Sequence, residues 1–459
     1  MKGDFISQAD IEHLQEIVGE ERVSQGTSQR ELHSHDESFH LPRLPEVVIW
    51  PHSTEEVSKI IKWVHKKEVP ITPWGAGTSL EGNPIPASGG MVMDLQEMNR
   101  ILEIREEDLQ VDVQAGVVYK ELNKTLGNYG LFFPPDPGAA ATIGGMVANN
   151  ASGVRTVKYG ATKDFVLKLV VVLPAGEVIT IGSHSAKSSS GYDLCRLFTG
   201  SEGTLGVITE VTLRLVGLPE RFMAVRTTFN TTHDATATVF QVMSSGLSPA
   251  AMEFLDEKVI EAINHYKSME LEEKPTLFME FHGFSEAGLQ EEMGFVEDIC
   301  QGNRCSSFAS GIGLDERNTL WEARYDAFEA VKRTATGLSP LIIDASVPIS
   351  RYTALVEFAK EATEKLRAYI FGHAGNGNIH VVIMGDPQDQ KEWSQIEEAN
   401  EVIVLKALEF EGTCTGEHGV GIGKRRFMPL EHGNSLAVML KIKEALDPKG
   451  TMNPGKVFP

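Results

Sequence analysis

Pro134-Pro-Asp-Pro-Gly138, followed after three alanines by Thr142-Ile-Gly-Gly-Met-Val-Ala-Asn-Asn-Ala-Ser-Gly153, is the stretch that decides the fold. It is built almost wholly of small residues. Such a run suits a helix N-terminus, over residues 143–151, lying against a diphosphate, where the helix dipole and open N–H groups favour negative charge. Two further glycine-rich turns flank it: Pro73-Trp-Gly-Ala-Gly-Thr-Ser-Leu-Glu-Gly82 and Thr199-Gly-Ser-Glu-Gly-Thr-Leu-Gly206. Glycine lets a backbone approach a ligand closely, and exposed N–H groups can cradle phosphate. The first turn does not match G-x-G-x-x-G, because its third glycine is displaced. One such loop reads equally well as a tight turn; three in one domain point to a ligand.

Working outward, residues 47–50 form a short apolar strand. Ser53 and Glu56 make a capping box, and Val57, Ile60, Ile61 and Val64 line one helical stripe. A second strand at 69–72 runs into the first glycine turn, so the region opens as a β-α-β unit. Further strands are expected at 91–95, 109–115, 165–173, 177–181 and 206–215, and a helix at 118–128. Ile11, Leu14, Ile17 and Val18 predict an N-terminal helix. After Pro219 the glycine density falls and helices alternate with strands at 222–229, 276–282 and 341–344. The expected organisation is an N-terminal helix and connector (1–40), a glycine-rich domain (41–218), a second α+β domain (219–411) and a C-terminal segment returning to the first (412–459).

A chain of 459 residues supports two or three domains, and its net charge of −22 repels nucleic acid and anionic lipid. Cys195, Cys300, Cys305 and Cys414 form no C-x-x-C pair, which argues against a disulfide framework or an iron–sulfur cluster and for buried small hydrophobes in a reducing compartment. His33, His35 and His40 have few co-ligands nearby and read as a solvated loop. The first 23 residues are acidic and helix-patterned, and residues 165–173 are too short to span a bilayer. A cytoplasmic protein without transmembrane segments is expected.

Phe371-Gly-His-Ala-Gly-Asn-Gly-Asn-Ile-His380 precedes a strand at 381–384. Its Gly-Asn-Gly turn should fold the chain back and bring His373 towards His380. Two imidazoles with one carboxylate make a three-ligand divalent site, and Glu417 in Gly416-Glu-His-Gly419 is the obvious third ligand. Two satisfied structural histidines are the alternative at this level. His418, beside Glu417, can serve as a base or merely shape its loop. The run from Gly416 to Lys424 is not an ATP-binding loop: His418 stands where a glycine is needed, and Arg425 where Ser or Thr is needed.

The series PWGAGTSLEG (73–82), PPDPGAAATIGGMVANNASGVRTVKYG (134–160), TGSEGTLGVITEVTLRL (199–215), FGHAGNGNIH (371–380), GEHGVG (416–421) and DPKGTMNPGKVF (447–458) resembles the FAD-linked D-lactate dehydrogenases and glycolate oxidase flavin subunits. That family lies in the vanillyl-alcohol oxidase/p-cresol methylhydroxylase (PCMH) superfamily. The resemblance implies an α+β fold, with a two-subdomain PCMH-type FAD-binding domain and a ferredoxin-like antiparallel cap. It implies FAD held by Trp74, Gly75, Ala76, Gly77, Thr78, Ser79, Pro135, Asp136, Pro137, Gly138, Thr142, Gly144, Gly145, Asn149, Ser152, Gly153, Glu202, Gly203, Ile208 and Asn453. The first loop offers no His or Cys for a covalent flavin bond, so FAD is expected to be noncovalent.

The resemblance further implies zinc or manganese at His373, His380 and Glu417, His418 as base, and Arg324 gripping the carboxylate of a small D-2-hydroxy acid. In the 2-hydroxyglutarate dehydrogenase branch a lysine precedes the aspartate matching Asp344 by two residues. Ile342 stands there in this chain, which favours a monocarboxylate, D-lactate or glycolate. Electrons would leave to a quinone, cytochrome, flavoprotein or iron–sulfur partner, and a homodimer is allowed. The rival readings are the flavin subunit of a multi-subunit glycolate oxidase and a catalytically idle FAD-binding scaffold.

Overall fold

A computed structural model describes residues 5–459 and divides them into two compact units. The first comprises residues up to Ser152, Ala161–Leu218 and Glu417–Pro459; the second comprises Gly153–Gly160 and Pro219–Gly416.

The first unit holds two main sheets. In one, Val47–Ile49, Met91–Asp94 and Ile71–Trp74 run parallel, with Val23–Ser24 added antiparallel at the edge. The other is antiparallel, in the order Ile101–Arg105, Gln110–Gln114, Val207–Arg214, Val166–Val172, Val178–Gly182. Helix Thr54–Lys67 lies between them: Val57, Ile60, Ile61, Trp63 and Val64 are buried with Val47 and Ile49 of one sheet and Val172 and Val207 of the other. Ser53 caps this helix by accepting from Glu56 N, but the Glu56 carboxylate turns away to Arg22 and His52 N, so the capping box is half made.

The second unit is built on a seven-stranded antiparallel sheet, in the order Cys305–Ile312, Arg221–Phe229, Thr276–Gly283, Ala251–Leu255, Ala368–Gly372, Asn378–Gly385, Ser339–Ser346. Helices Glu257–Lys267, Leu314–Tyr325 and Ala327–Thr334 cover one face through Ile260, Ile263, Trp321, Ala330 and Val331. The short segment 153–160 groups with this unit because it is tied to it by polar contacts. Arg155 Nε lies 3.9 Å from Glu280, and Tyr159 OH is 2.7 Å from His282 Nδ1.

The connector departs from the sequence expectation. His35 is exposed, but His33 is buried, with Nε2 3.0 Å from Asp94 and its ring against Trp50 and Trp74. After helix Thr27–Leu32 the chain turns inward onto a carboxylate and two aromatic faces, partners that lie far along the sequence and give no local signal. His40 is half-buried, and burial first, then Lys456 and Arg425, hold its pKa down to about 4. None of the four cysteines is in a disulfide; Cys195, Cys300 and Cys414 are buried, while Cys305 is only partly so.

Candidate active site

In the first unit the three glycine-rich loops converge. The first follows the carboxyl end of parallel strand Ile71–Trp74, the end where open parallel sheets bind ligands. Among the described residues, no protein acceptor takes a hydrogen bond from the backbone N–H groups of Gly75 to Leu80. Six consecutive unengaged donors suit an anion. Gly77 sits at φ +68°, and a Cβ there would meet the Trp74 ring at 2.6 Å, so Trp74 floors the loop and only glycine fits above it. Asn149 Nδ2 reaches Ser79 Oγ at 3.3 Å, and a Cβ on Gly75 would meet Thr142 Oγ1 at 2.5 Å, which joins the second loop to the first. Gly200 N and Glu202 N donate to Val147 O and Ala148 O, which seats the third loop on helix Ile143–Asn149.

That helix differs from its sequence reading. Its leading N–H groups are already engaged: Ile143 N with Val117 O, Gly144 N with Ala115 O, and Gly145 N with Thr142 Oγ1. Open donors instead lie in the first loop. Asp136 accepts from Tyr119 OH and Gly138 N, and Ile208 lies buried in strand Val207–Arg214. Asn453 Nδ2 donates to Asn83 O and Glu202 O, and the Glu202 carboxylate accepts from Asn83, Val420 N and Gly421 N. The polar side chains of Glu202 and Asn453 thus face protein partners. In the same unit, Ser152 Oγ donates to Glu417 Oε2 at 2.8 Å.

In the second unit, residues directly opposite on neighbouring strands share a face of the sheet. Asp344 pairs with His380, His380 with Phe371, and Phe371 with Leu255, two residues from Glu253. The Gly-Asn-Gly turn, with Gly377 at φ +70°, brings His373 back so that its ring centroid is 5.1 Å from that of His380. Each imidazole has a fully buried carboxylate at Nδ1: Glu253 at 2.8 Å for His373 and Asp344 at 3.6 Å for His380. Asp344 also accepts from Asn378 Nδ2 and Thr415 Oγ1. The Glu253 carboxylate at hydrogen-bond distance from His373 Nδ1 fixes that ring's tautomer, while Asp344 lies at ion-pair distance from His380 Nδ1; a carboxylate behind an imidazole is the arrangement usual behind metal-binding histidines.

Arg324, on helix Leu314–Tyr325, donates through Nε and Nη2 to the same Glu253, at 2.8 and 2.7 Å, and lies over Phe371. The sequence reading missed Glu253. It sits in an apolar strand, Ala-Met-Glu-Phe-Leu255, where a lone glutamate between hydrophobics is the available signal: a buried charge needs partners. Gly416 N, the last donor of this unit, binds Asp344 O; Glu417 and His418 are the next two residues.

Comparison with known proteins identifies the family. Residues 45–182 match the FAD binding domain, and residues 218–457 match the FAD linked oxidases, C-terminal domain. The chain belongs to the FAD-linked oxidases. It is an FAD-dependent oxidoreductase of the D-lactate dehydrogenase and glycolate oxidase type. It is 40% identical to the probable mitochondrial D-lactate dehydrogenase of Danio rerio, covering 98% of this chain and 91% of that one. It is 37% identical to glycolate oxidase subunit GlcD of Bacillus subtilis, covering 97% and 96%. The fold matches 4-ethylphenol oxidase from Gulosibacter chungangensis at TM-score 0.79 and 17% identity, covering 99% of this chain and 98% of that one. It also matches p-cresol methylhydroxylase at TM-score 0.78 and 14% identity, covering 98% and 97%. The PCMH-type fold expected from the sequence is the fold observed.

Proposed function

We propose that the enzyme oxidises a small D-2-hydroxy acid, D-lactate first and glycolate second, to the 2-oxo acid. The observation that carries this is the gathering of His373, His380 and Arg324 on one sheet face, each braced by a buried carboxylate or its partner. His373, His380 and Glu417 are the residues that would hold a divalent cation, zinc or manganese. Their donor set of two imidazoles and a carboxylate fits, as do Glu253 and Asp344 behind the rings. Such a cation would supply Lewis acidity to the substrate hydroxyl, and FAD, which the 75–80 loop would hold noncovalently, would supply the hydride acceptor. His418 takes the hydroxyl proton as a neutral imidazole. Arg324 binds the substrate carboxylate through the guanidinium edge that Glu253 does not occupy. Ile342 packs against the apolar cluster containing Phe371 and Val382, so the strand offers no cation there for a second carboxylate.

Bound FAD would pass its electrons to an external quinone, cytochrome, flavoprotein or iron–sulfur partner. The match to subunit GlcD favours, as a second reading, work as one subunit of a larger glycolate oxidase. A cytoplasmic location belongs to the same proposal. No helix among the described residues is long and apolar enough to cross a membrane. The test is anaerobic dye reduction by the isolated chain with both enantiomers of several 2-hydroxy acids, before and after chelation. D-lactate or glycolate should reduce the dye, and chelation should abolish turnover while the protein stays yellow. Full activity in metal-free protein would remove the metal from the mechanism; no activity with any hydroxy acid would favour the scaffold reading.

A further inference from the structure

Glu202 occupies a conformation that its own residue type disfavours. Its φ is +52°, in the left-handed region, immediately before Gly203 at φ +69°. The left-handed region is disfavoured for an L-residue because its Cβ crowds the following carbonyl oxygen. The carboxylate is also buried, and burial pushes its pKa up, against the pull of Val420 N, Gly421 N, Asn83 and Lys456. A glycine would remove both costs, so the side chain must return something. Its contacts say what. Oε1 accepts from Val420 N at 2.7 Å, and Oε2 accepts from Gly421 N at 2.9 Å and Asn83 Nδ2 at 2.7 Å. Gly419 lies against this clamp, since a Cβ there would meet Asn83 Nδ2 at 2.8 Å and Glu202 Oε1 at 2.9 Å; Gly421 lies instead against Glu81, whose O a Cβ would strike at 2.0 Å. Ile422 N donates to Glu81 O at 2.7 Å, and Lys424 pairs with Glu81 at 2.9 Å, which extends the anchorage along the loop. The clamped amides lie two and three residues beyond His418, on the loop that also carries Glu417.

We propose that Glu202 is a positioning residue for the 417–421 loop rather than a flavin ligand: its carboxylate bolts the loop carrying Glu417 and His418 to the flavin-binding unit. The assignment of work to those two residues rests on the function proposed above; the clamp itself does not. The tests use the full-length holoenzyme with Glu202→Gly, which suits the backbone, and Glu202→Gln, which keeps one acceptor oxygen without the charge. Both should retain FAD at the parent stoichiometry. Hydrogen exchange in the 417–424 segment should quicken about 10- to 100-fold in Glu202→Gly, through loss of bonds to a charged acceptor. Flavin reduction by D-lactate should slow about tenfold, with Glu202→Gln between it and the parent. Unchanged exchange overturns the clamp, and loss of FAD as the chief defect returns Glu202 to the cofactor. Faster exchange with an unchanged reduction rate overturns the positioning role. His418→Ala measured alongside separates the readings: if it reduces flavin normally, the base assignment has failed, while the exchange result still judges the clamp.

Discussion

The glycine loop of the first unit and the sheet face of the second handle charge in opposite ways. From Gly75 to Leu80 the groups open to a ligand under the proposed function are backbone N–H donors, with Gly77 made possible by the absence of a Cβ. On the sheet face the groups proposed to work are side chains. His373 and Arg324 share one buried carboxylate, Glu253, and His380 has its own, Asp344. A run of backbone donors suits a large cofactor whose phosphates must be neutralised without committing a titratable group. A side-chain cluster suits chemistry, in which a proton moves and a cation must be gripped at set angles. Damage to the two regions should therefore show in different measurements.

The sharpest separation comes from His418→Ala. Flavin reduction by substrate should slow about 10²–10⁴-fold, the usual cost of losing a positioned proton acceptor, with FAD content unchanged. Rapid-mixing spectroscopy reads this directly, and parent-rate reduction would strip His418 of the role. Next is Glu253→Gln, which preserves shape but not charge. Metal affinity should fall about 10–100-fold, the usual loss when a carboxylate behind a ligating histidine is removed, again with FAD retained. Metal content after competition with a graded chelator is the measurement; equal retention would mean that Glu253 serves Arg324 alone. The smallest effect is expected on the backbone side. Gly77→Ala should weaken FAD binding about 5- to 30-fold, from a left-handed φ costing roughly 1–2 kcal/mol, and should leave metal binding as it was. Undiminished FAD affinity would show that the loop tolerates a Cβ and that its N–H donors are not the grip.

Much of this was legible before the coordinates, for reasons that differ by region. Glycine at 75, 77 and 203 and the helix stripe from Val57 to Val64 announce themselves because backbone conformation and amphipathic period are local properties. The approach of His373 to His380 was legible because one tight turn joins them. Glu253 was not, because its partners His373 and Arg324 lie 120 and 71 residues away, and nothing near it in sequence distinguishes a paired buried carboxylate from a stray one. His33 was misread for the same reason, its partner Asp94 being 61 residues distant. The helix expected over 143–151 ends at Asn149, and two of the first N–H groups that its sequence offers to a phosphate are taken by Ala115 and Val117. The sequence alone determined the elements whose periodicity is local, such as helix 54–67, and the short motifs in which spacing along the chain is itself the geometry. Tertiary structure decided which buried charges meet, because the stability of a carboxylate away from water depends on donors the chain delivers from elsewhere in the fold.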